Sequence, residues 1–207
     1  MINLAHNAIN FYYKEIMRRN FKPIKFQKRE QKDRGILSIK EIKQIIEVIN
    51  NKKHKLMISM LYASGVRVSE LINIKIQDIK WEKRLLLVRQ GKGKKDRHTI
   101  LSNKAIEEIK DYLKSRTEKS QYLFPSFKTH ITTRTVQEIL KQAGKKTNLN
   151  ITPHQLRHSF ATHLVDSGVH ENKIQKLLGH KNIKTTQIYI KLSTKNIENI
   201  QSPHDLT

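Results

Sequence analysis

Apolar residues recur at three- and four-residue intervals over most of the chain, the spacing of helices that bury one face. Residues 2–19 (INLAHNAINFYYKEIMRR) place Ala5, Ala8, Ile9, Tyr12 and Ile16 close to that spacing and predict one amphipathic helix. The stretch 20–35 is basic, contains Pro23 and ends at Gly35, so it reads as an extended linker. Ser38 and Glu41 then form a capping box ahead of SIKEIKQIIEVI, where Ile42, Ile45, Ile46 and Ile49 mark a buried face. A second, apolar helix, HKLMISMLYA, stops at Ser64-Gly65, and a short third runs through SELINI. Arg67 falls at the junction between them.

The period then changes. DIKW, RLLLVRQ and RHTIL are short and rich in branched residues, with GKGKKD between the last two, which predicts a small antiparallel sheet with a glycine-rich hairpin turn. Helices resume at Ser102 (SNKAIEEIKDYLK) and at Thr133 (TRTVQEILKQAG), the latter followed by Lys145 and Lys146. Thr152-Pro153 supplies an N-cap and a first-turn proline for PHQLRHSFATHLVDSG, closed by Gly168. NKIQKLLG and IKTTQIYIKL are the last two helices before a polar tail. The expected fold is mainly α with a small three-stranded antiparallel β-sheet.

Composition narrows the partners. The 207 residues suffice for one ordinary domain, or one domain with an appendage, and can bury a core without metal or disulfide support. Lys and Arg number 41 against 18 Asp and Glu, a formal charge of +23, so the surface seeks a polyanion. No apolar run approaches the roughly 20 residues of a bilayer span and no signal peptide opens the chain, so the expectation is a cytoplasmic, nucleic-acid-binding protein with no membrane partner. The absence of cysteine excludes disulfides and thiolate metal sites.

Four local patterns carry chemistry. His154 and Arg157 are three apart at the first turn of a helix, where free N–H groups and the helix dipole favour an anion. His154 and His158 have the spacing of a metal pair, but position 155 is Gln and no acidic ligand lies nearby, so no metal is expected. GKGKKDR sets Lys92 between two glycines at a hairpin tip, and residues 83–97 hold seven Lys or Arg and one Asp, a pattern of phosphate contact. Arg67 follows a helix-ending glycine, its planar fork suited to two phosphate oxygens, with Glu70 placed to hold it from behind. Taken singly, each pattern is more often a solvated surface pair or basic turn, and Tyr189, on an apolar helix, would more often be core.

Together they are more specific. YASGVRVSELINIKIQDI, VRQGKGKKDRHTILS, ITPHQLRHSFATHLVDSG and IQKLLGHKNIKTTQIYIKL resemble the tyrosine recombinase family, of the phage-integrase and Xer type, in the family's order and over nearly all of residues 36–195. The resemblance implies that Arg67 and Arg157 grip a scissile DNA phosphate, Lys92 protonates the leaving 5′-oxygen, and His154 accepts a proton. It implies that His180 donates to a nonbridging oxygen and that Tyr189 attacks phosphorus, with Glu70 behind the first arginine. Lys94, Lys95, Arg97, Arg134, Lys145 and Lys146 are expected to contact DNA.

No cofactor is implied, because fixed cationic donors can stabilise a phosphodiester transition state and an aryl phosphate stays reactive enough to be rejoined. The implied organisation is a last helix of an N-terminal DNA-clamping domain (1–19), a basic linker (20–35), a catalytic domain (36–193) and a tail for subunit exchange (194–207). The expected working particle is a homo-tetramer on paired double-stranded DNA. Two other readings stay open at this point: a DNA-binding module without turnover, and a type IB topoisomerase.

Overall fold

Side-chain caps set where the helices begin. The structure, a computed structural model, describes residues 2–19, 35–89, 96–126, 130–179 and 186. The chain divides into two compact units, Met1–Arg34 and Gly35–Thr207. In the first, α1 spans Ile2–Phe11 and continues as a π-helical turn over Tyr12–Ile16. Ile9, Tyr12 and Ile16, three of the residues expected along its apolar stripe, are exposed.

In the second unit, α2 (Ile39–Glu47) opens on the expected capping box. Ser38 Oγ accepts from the Glu41 N–H at 3.2 Å and the Glu41 carboxylate accepts from the Ser38 N–H at 2.7 Å. Asn51 caps α3 (Lys52–Ser64) in the same manner, its Oδ1 accepting from the His54 N–H at 3.0 Å. Leu56, Met57, Ile58, Met60 and Leu61 of α3 are all buried. A helix apolar on every side belongs at the centre of its domain, and α2, α5, α6, α7 and β3 pack around this one. Each such side chain removed from water stabilises the fold by about 1.5–3 kcal/mol.

Beyond α3 come a four-residue α4 (Val68–Leu71), shorter than SELINI suggested, and a 3₁₀ turn over Ile76–Asp78. The sheet follows as β1 (Ile79–Lys80), β2 (Leu85–Val88) and β3 (Arg97–Ile100), antiparallel in the order β1-β2-β3. Leu85 pairs with Ile100 and Val88 with Arg97; the expected glycine-rich turn at 90–95 lies outside the described residues. Then come α5 (Asn103–Ser115), α6 (Thr133–Thr147), α7 (Pro153–Asp166) and α8 (Glu171–Leu178). Caps from Ser102, Thr132 and Thr152 start the first three, with Pro153 at the first turn of α7.

The end of α6 also differs from the sequence pattern. α6 runs through Gly144 to Thr147, so Lys145 and Lys146 lie in its last turn and do not follow it. The glycine serves the turn beyond: the Leu149 N–H bonds the Gly144 carbonyl at 2.9 Å, and a Cβ at 144 would sit 2.4 Å from the Leu149 carbonyl oxygen.

A second apolar cluster, Phe160, Ala161, Val165, Ile174 and Leu178, joins α7 to α8 against Tyr62 and Ile100. Among the described residues, no helix is long and apolar enough to cross a membrane, and no group of three or more metal-ligating side chains occurs.

Candidate active site

Two helix ends and the start of one strand converge on the site. α3 stops at Gly65, whose φ of +60° is the left-handed conformation that releases the chain into Val66 and Arg67. Arg67 precedes the first turn of α4, and Glu70 reaches back to it. Glu70 Oε2 accepts from the Arg67 N–H at 2.8 Å and Oε1 accepts from Arg67 Nη1 at 2.8 Å. The Nε and Nη2 groups of Arg67 have no hydrogen-bond partner among the described residues, and its side chain is 28% exposed. One edge of the guanidinium is held and the other bonds no described residue.

Glu70 is shared. Arg97 Nη1 donates to its Oε1 at 2.8 Å and Arg97 Nη2 to its Oε2 at 2.7 Å, while Arg97 Nε donates to the Leu177 carbonyl in the last turn of α8 at 2.9 Å. Burial alone would raise the Glu70 carboxyl, but the hydrogen bonds and charge of Arg97, with those of the Arg67 backbone and side chain, outweigh it and hold the group at about 2. It is therefore ionised at any pH in which DNA is handled.

Arg157, one turn into α7, is 2% exposed. Its Nη1 donates to the Gly65 carbonyl in a short hydrogen bond and its Nη2 to the Leu178 carbonyl at 2.7 Å. One guanidinium thus satisfies the carbonyl ends of both α3 and α8, where a positive charge is favoured. His154 lies on the same face one turn earlier and is exposed, its Nε2 3.0 Å from Nε2 of His158. α8 then ends at Gly179, with φ of +65°.

Arg67, Glu70 and Arg157 are brought together through Gly65 and the end of α8. Arg97, expected on the DNA-facing surface, instead points inward: its side chain is 9% exposed and all three of its nitrogens bond protein acceptors. The signal was available in the strand period. Thr99, two residues on and hence on the same face, is buried and donates to the Ser64 carbonyl at 2.7 Å, while His98 between them is exposed.

The other expected DNA contacts are dispersed. Arg134 is exposed on the first turn of α6 and Lys145 and Lys146 on its last, separated along the helix by about 17 Å. Lys146 Nζ also lies 3.5 Å from the Val48 carbonyl. Lys92, Lys94, Lys95, His180 and Tyr189 lie outside the described residues. Just beyond β2, the Arg89 guanidinium pairs with buried Asp78 at 2.7 Å. Sequence reasoning had singled out neither residue, nor the use of the Gly65 and Leu178 carbonyls as acceptors for Arg157.

Comparison with known proteins adds to this geometry. The model of the phage integrase family matches residues 36–196. Tyrosine recombinase XerA of Pyrococcus horikoshii is 44% identical over 201 residues, covering 95% of this chain and 70% of that protein. The crystal structure of a XerA recombinase superposes with a TM-score of 0.73 at 33% identity, covering 95% of this chain and 72% of the other. The fold is also that of XerH site-specific recombinase bound to a palindromic difH substrate, with a TM-score of 0.76 at 23% identity over 95% of this chain and 64% of that one.

Proposed function

The chain belongs to the phage integrase family and is a tyrosine recombinase, an enzyme that breaks and rejoins DNA strands at specific sites, and from that premise we propose how its residues divide the reaction. Arg67 and Arg157 bind the nonbridging oxygens of the scissile phosphate. The Tyr189 hydroxyl attacks phosphorus, forming a 3′-phosphotyrosine bond as the bond to the 5′-oxygen breaks. His154 accepts the phenolic proton, Lys92 gives a proton to the departing 5′-oxygen, and His180 donates to a nonbridging oxygen. Attack by a 5′-hydroxyl of the partner duplex reverses these steps and reseals the strand. One phosphodiester is exchanged for another, so no nucleotide is consumed.

The observation that carries this reading is the arginine pair held from behind. A free phenol has a pKa near 10, so only about one in a thousand is ionised at neutral pH. Charge that gathers on the phosphate and the phenolate needs donors fixed before the reaction begins. Arg67 is fixed by Glu70 through one edge, the other bonding no described residue, and Arg157 by two carbonyls from different helices. Neither must reorganise as charge develops.

Lys92, Lys94, Lys95, Arg134, Lys145 and Lys146 supply the phosphate contacts that hold the duplex, in keeping with the net charge of +23. Residues 36–193 form the catalytic domain, 1–19 and 20–35 the last helix and linker of a clamping domain, and 194–207 the segment that docks on a neighbouring subunit. The working particle is four subunits on two double-stranded DNA sites.

A nicked duplex bearing a site obtained by selection tests the assignment, because the nick lets the 5′ fragment diffuse away and traps the covalent complex. Arg67→Ala and Arg157→Ala should each slow adduct formation by about 10²–10³-fold while binding is retained. Adduct formation at the wild-type rate in either variant would remove that arginine from the proposed site.

A further inference from the structure

Arg97 is the group whose surroundings exceed what the proposed reaction asks of it. It begins β3, donates from each of its three guanidinium nitrogens to a protein acceptor, and ties together two elements: α4, through both carboxylate oxygens of Glu70, and the end of α8, through the Leu177 carbonyl. The turn after α8 is shaped around it. A Cβ at Gly179 would lie 2.7 Å from Arg97 Cδ and 3.1 Å from its Nε, so the arginine stem packs against a position that only glycine fits. β3 itself is registered on α3 by the bond from Thr99 to the Ser64 carbonyl, one residue before Gly65.

Charge gives this placement a consequence. Glu70 paired with Arg67 alone would form a neutral couple and would draw the guanidinium onto both carboxylate oxygens. With Arg97 present, each oxygen of Glu70 already accepts from Arg97, the three groups carry a net positive charge, and the Arg67 guanidinium engages the carboxylate through Nη1 only. Its remaining edge and its charge are left for an anion. The charged groups that bear on Glu70 are Arg67 from its own element and Arg97 from β3.

We infer that Arg97 is a positioning residue for strand cleavage: it occupies Glu70 and fixes the end of α8, so that Arg67 presents a charged, open edge to the phosphate and the chain departs toward His180 from a set point. This rests on the reading of Arg67 as a phosphate ligand. It departs from the sequence expectation, in which Arg97 contacts DNA directly.

The test compares wild type with Arg97→Met and Arg97→Lys in three measurements: single-turnover adduct formation on the nicked duplex at saturating protein, DNA affinity across a salt series, and titration of the Glu70 carboxyl by carbon-13 NMR. The expected result for Arg97→Met is a roughly 100-fold slower reaction at saturation, affinity within about threefold, and a salt slope unchanged because no phosphate contact is lost. The Glu70 titration should move up from about 2 toward the ordinary carboxylate range, so that cleavage acquires an acidic limb absent from wild type. Arg97→Lys restores charge without the three-way bonding and should fall between the two; it carries the same measurements if Arg97→Met does not fold.

Wild-type cleavage in Arg97→Met, or weaker binding with a salt slope shallower by about 0.9 and normal cleavage at saturation, overturns the inference, the latter by making Arg97 a DNA contact. If the wild-type protein forms no adduct, it is the phosphate-site reading that fails. The Glu70 titration still decides the role of Arg97 in that case, and an unmoved titration in Arg97→Met overturns it.

Discussion

Replacing Gly65 by alanine should damage the fold and the site together, and the structure sets the size of the effect. At φ of +60° an L-residue costs about 1–2 kcal/mol relative to glycine. The added Cβ would also lie 2.3 Å from Cδ1 and 2.5 Å from Cε1 of Phe160, and 3.2 Å from Cδ2 of Leu178. To regain an ordinary carbon–carbon separation of roughly 3.5–4.0 Å the ring must retreat by more than about 1 Å. Phe160 is buried among Ala161, Val165, Ile174 and Leu178, so its movement strains that cluster, at about 1–3 kcal/mol.

The expected loss is therefore about 2–5 kcal/mol, read from urea unfolding at neutral pH. Because the Gly65 carbonyl receives Arg157 and Phe160 is three residues from Arg157 on α7, a shift of this size should also slow cleavage by about 100-fold. The double variant Gly65→Ala/Phe160→Leu separates the two terms. It should recover the steric part, about 1–3 kcal/mol beyond additivity, and leave the backbone part. A Gly65→Ala protein within about 0.5 kcal/mol of wild type would refute the packing argument, and a strictly additive double variant would refute the part assigned to Phe160.

Glu70→Gln leaves two guanidinium groups facing an amide and should cost about 3–5 kcal/mol at neutral pH. The folded Glu70 carboxyl sits at about 2 against an ordinary value of 4.5, so its stabilisation, about 3 kcal/mol, is complete above pH 4.5 and lost as pH falls through 2. The gap between wild type and Glu70→Gln in denaturant unfolding should narrow over that window, and a constant gap would contradict the assignment. Arg157→Lys replaces the planar fork, whose two arms reach carbonyls at the ends of different helices, by a single ammonium nitrogen, so an unfolding measurement should show a loss of about 1–3 kcal/mol; an unchanged midpoint would contradict it. Arg134→Gln and Lys145→Gln should each reduce the slope of log affinity against log salt by about 0.9, and an unchanged slope removes that residue from the DNA contacts.

Local chemistry is what the sequence displays well. The caps at Ser38 and Thr152 are legible because each is a hydrogen bond within one turn, and α3 because an apolar run ending in glycine has few alternatives to a central helix. The pattern places the end of α6 near Gly144, whereas the reason for that glycine, a close return of the backbone at Leu149, is not local.

The same limit explains Arg97. Its neighbours are basic and face solvent in a naive reading, β3 has only four residues in which to display an alternation, and its acceptors lie 27 and 80 positions away in the chain. Arg67, His154 and Arg157 each stand out singly in a local pattern, and only the family resemblance of four motifs groups them into one site. The carbonyl ends of α3 and α8 that seat Arg157 belong to packing and left no mark in composition.

The central claim is that Tyr189 becomes covalently joined to a DNA 3′-phosphate. The most direct measurement is mass spectrometry of the tryptic peptide recovered from the adduct on a nicked duplex, after nuclease digestion to a single nucleotide. The account predicts a peptide carrying one 3′-phosphonucleotide on Tyr189, and no adduct from Tyr189→Phe. An adduct on another residue, or one that persists in Tyr189→Phe, would contradict it.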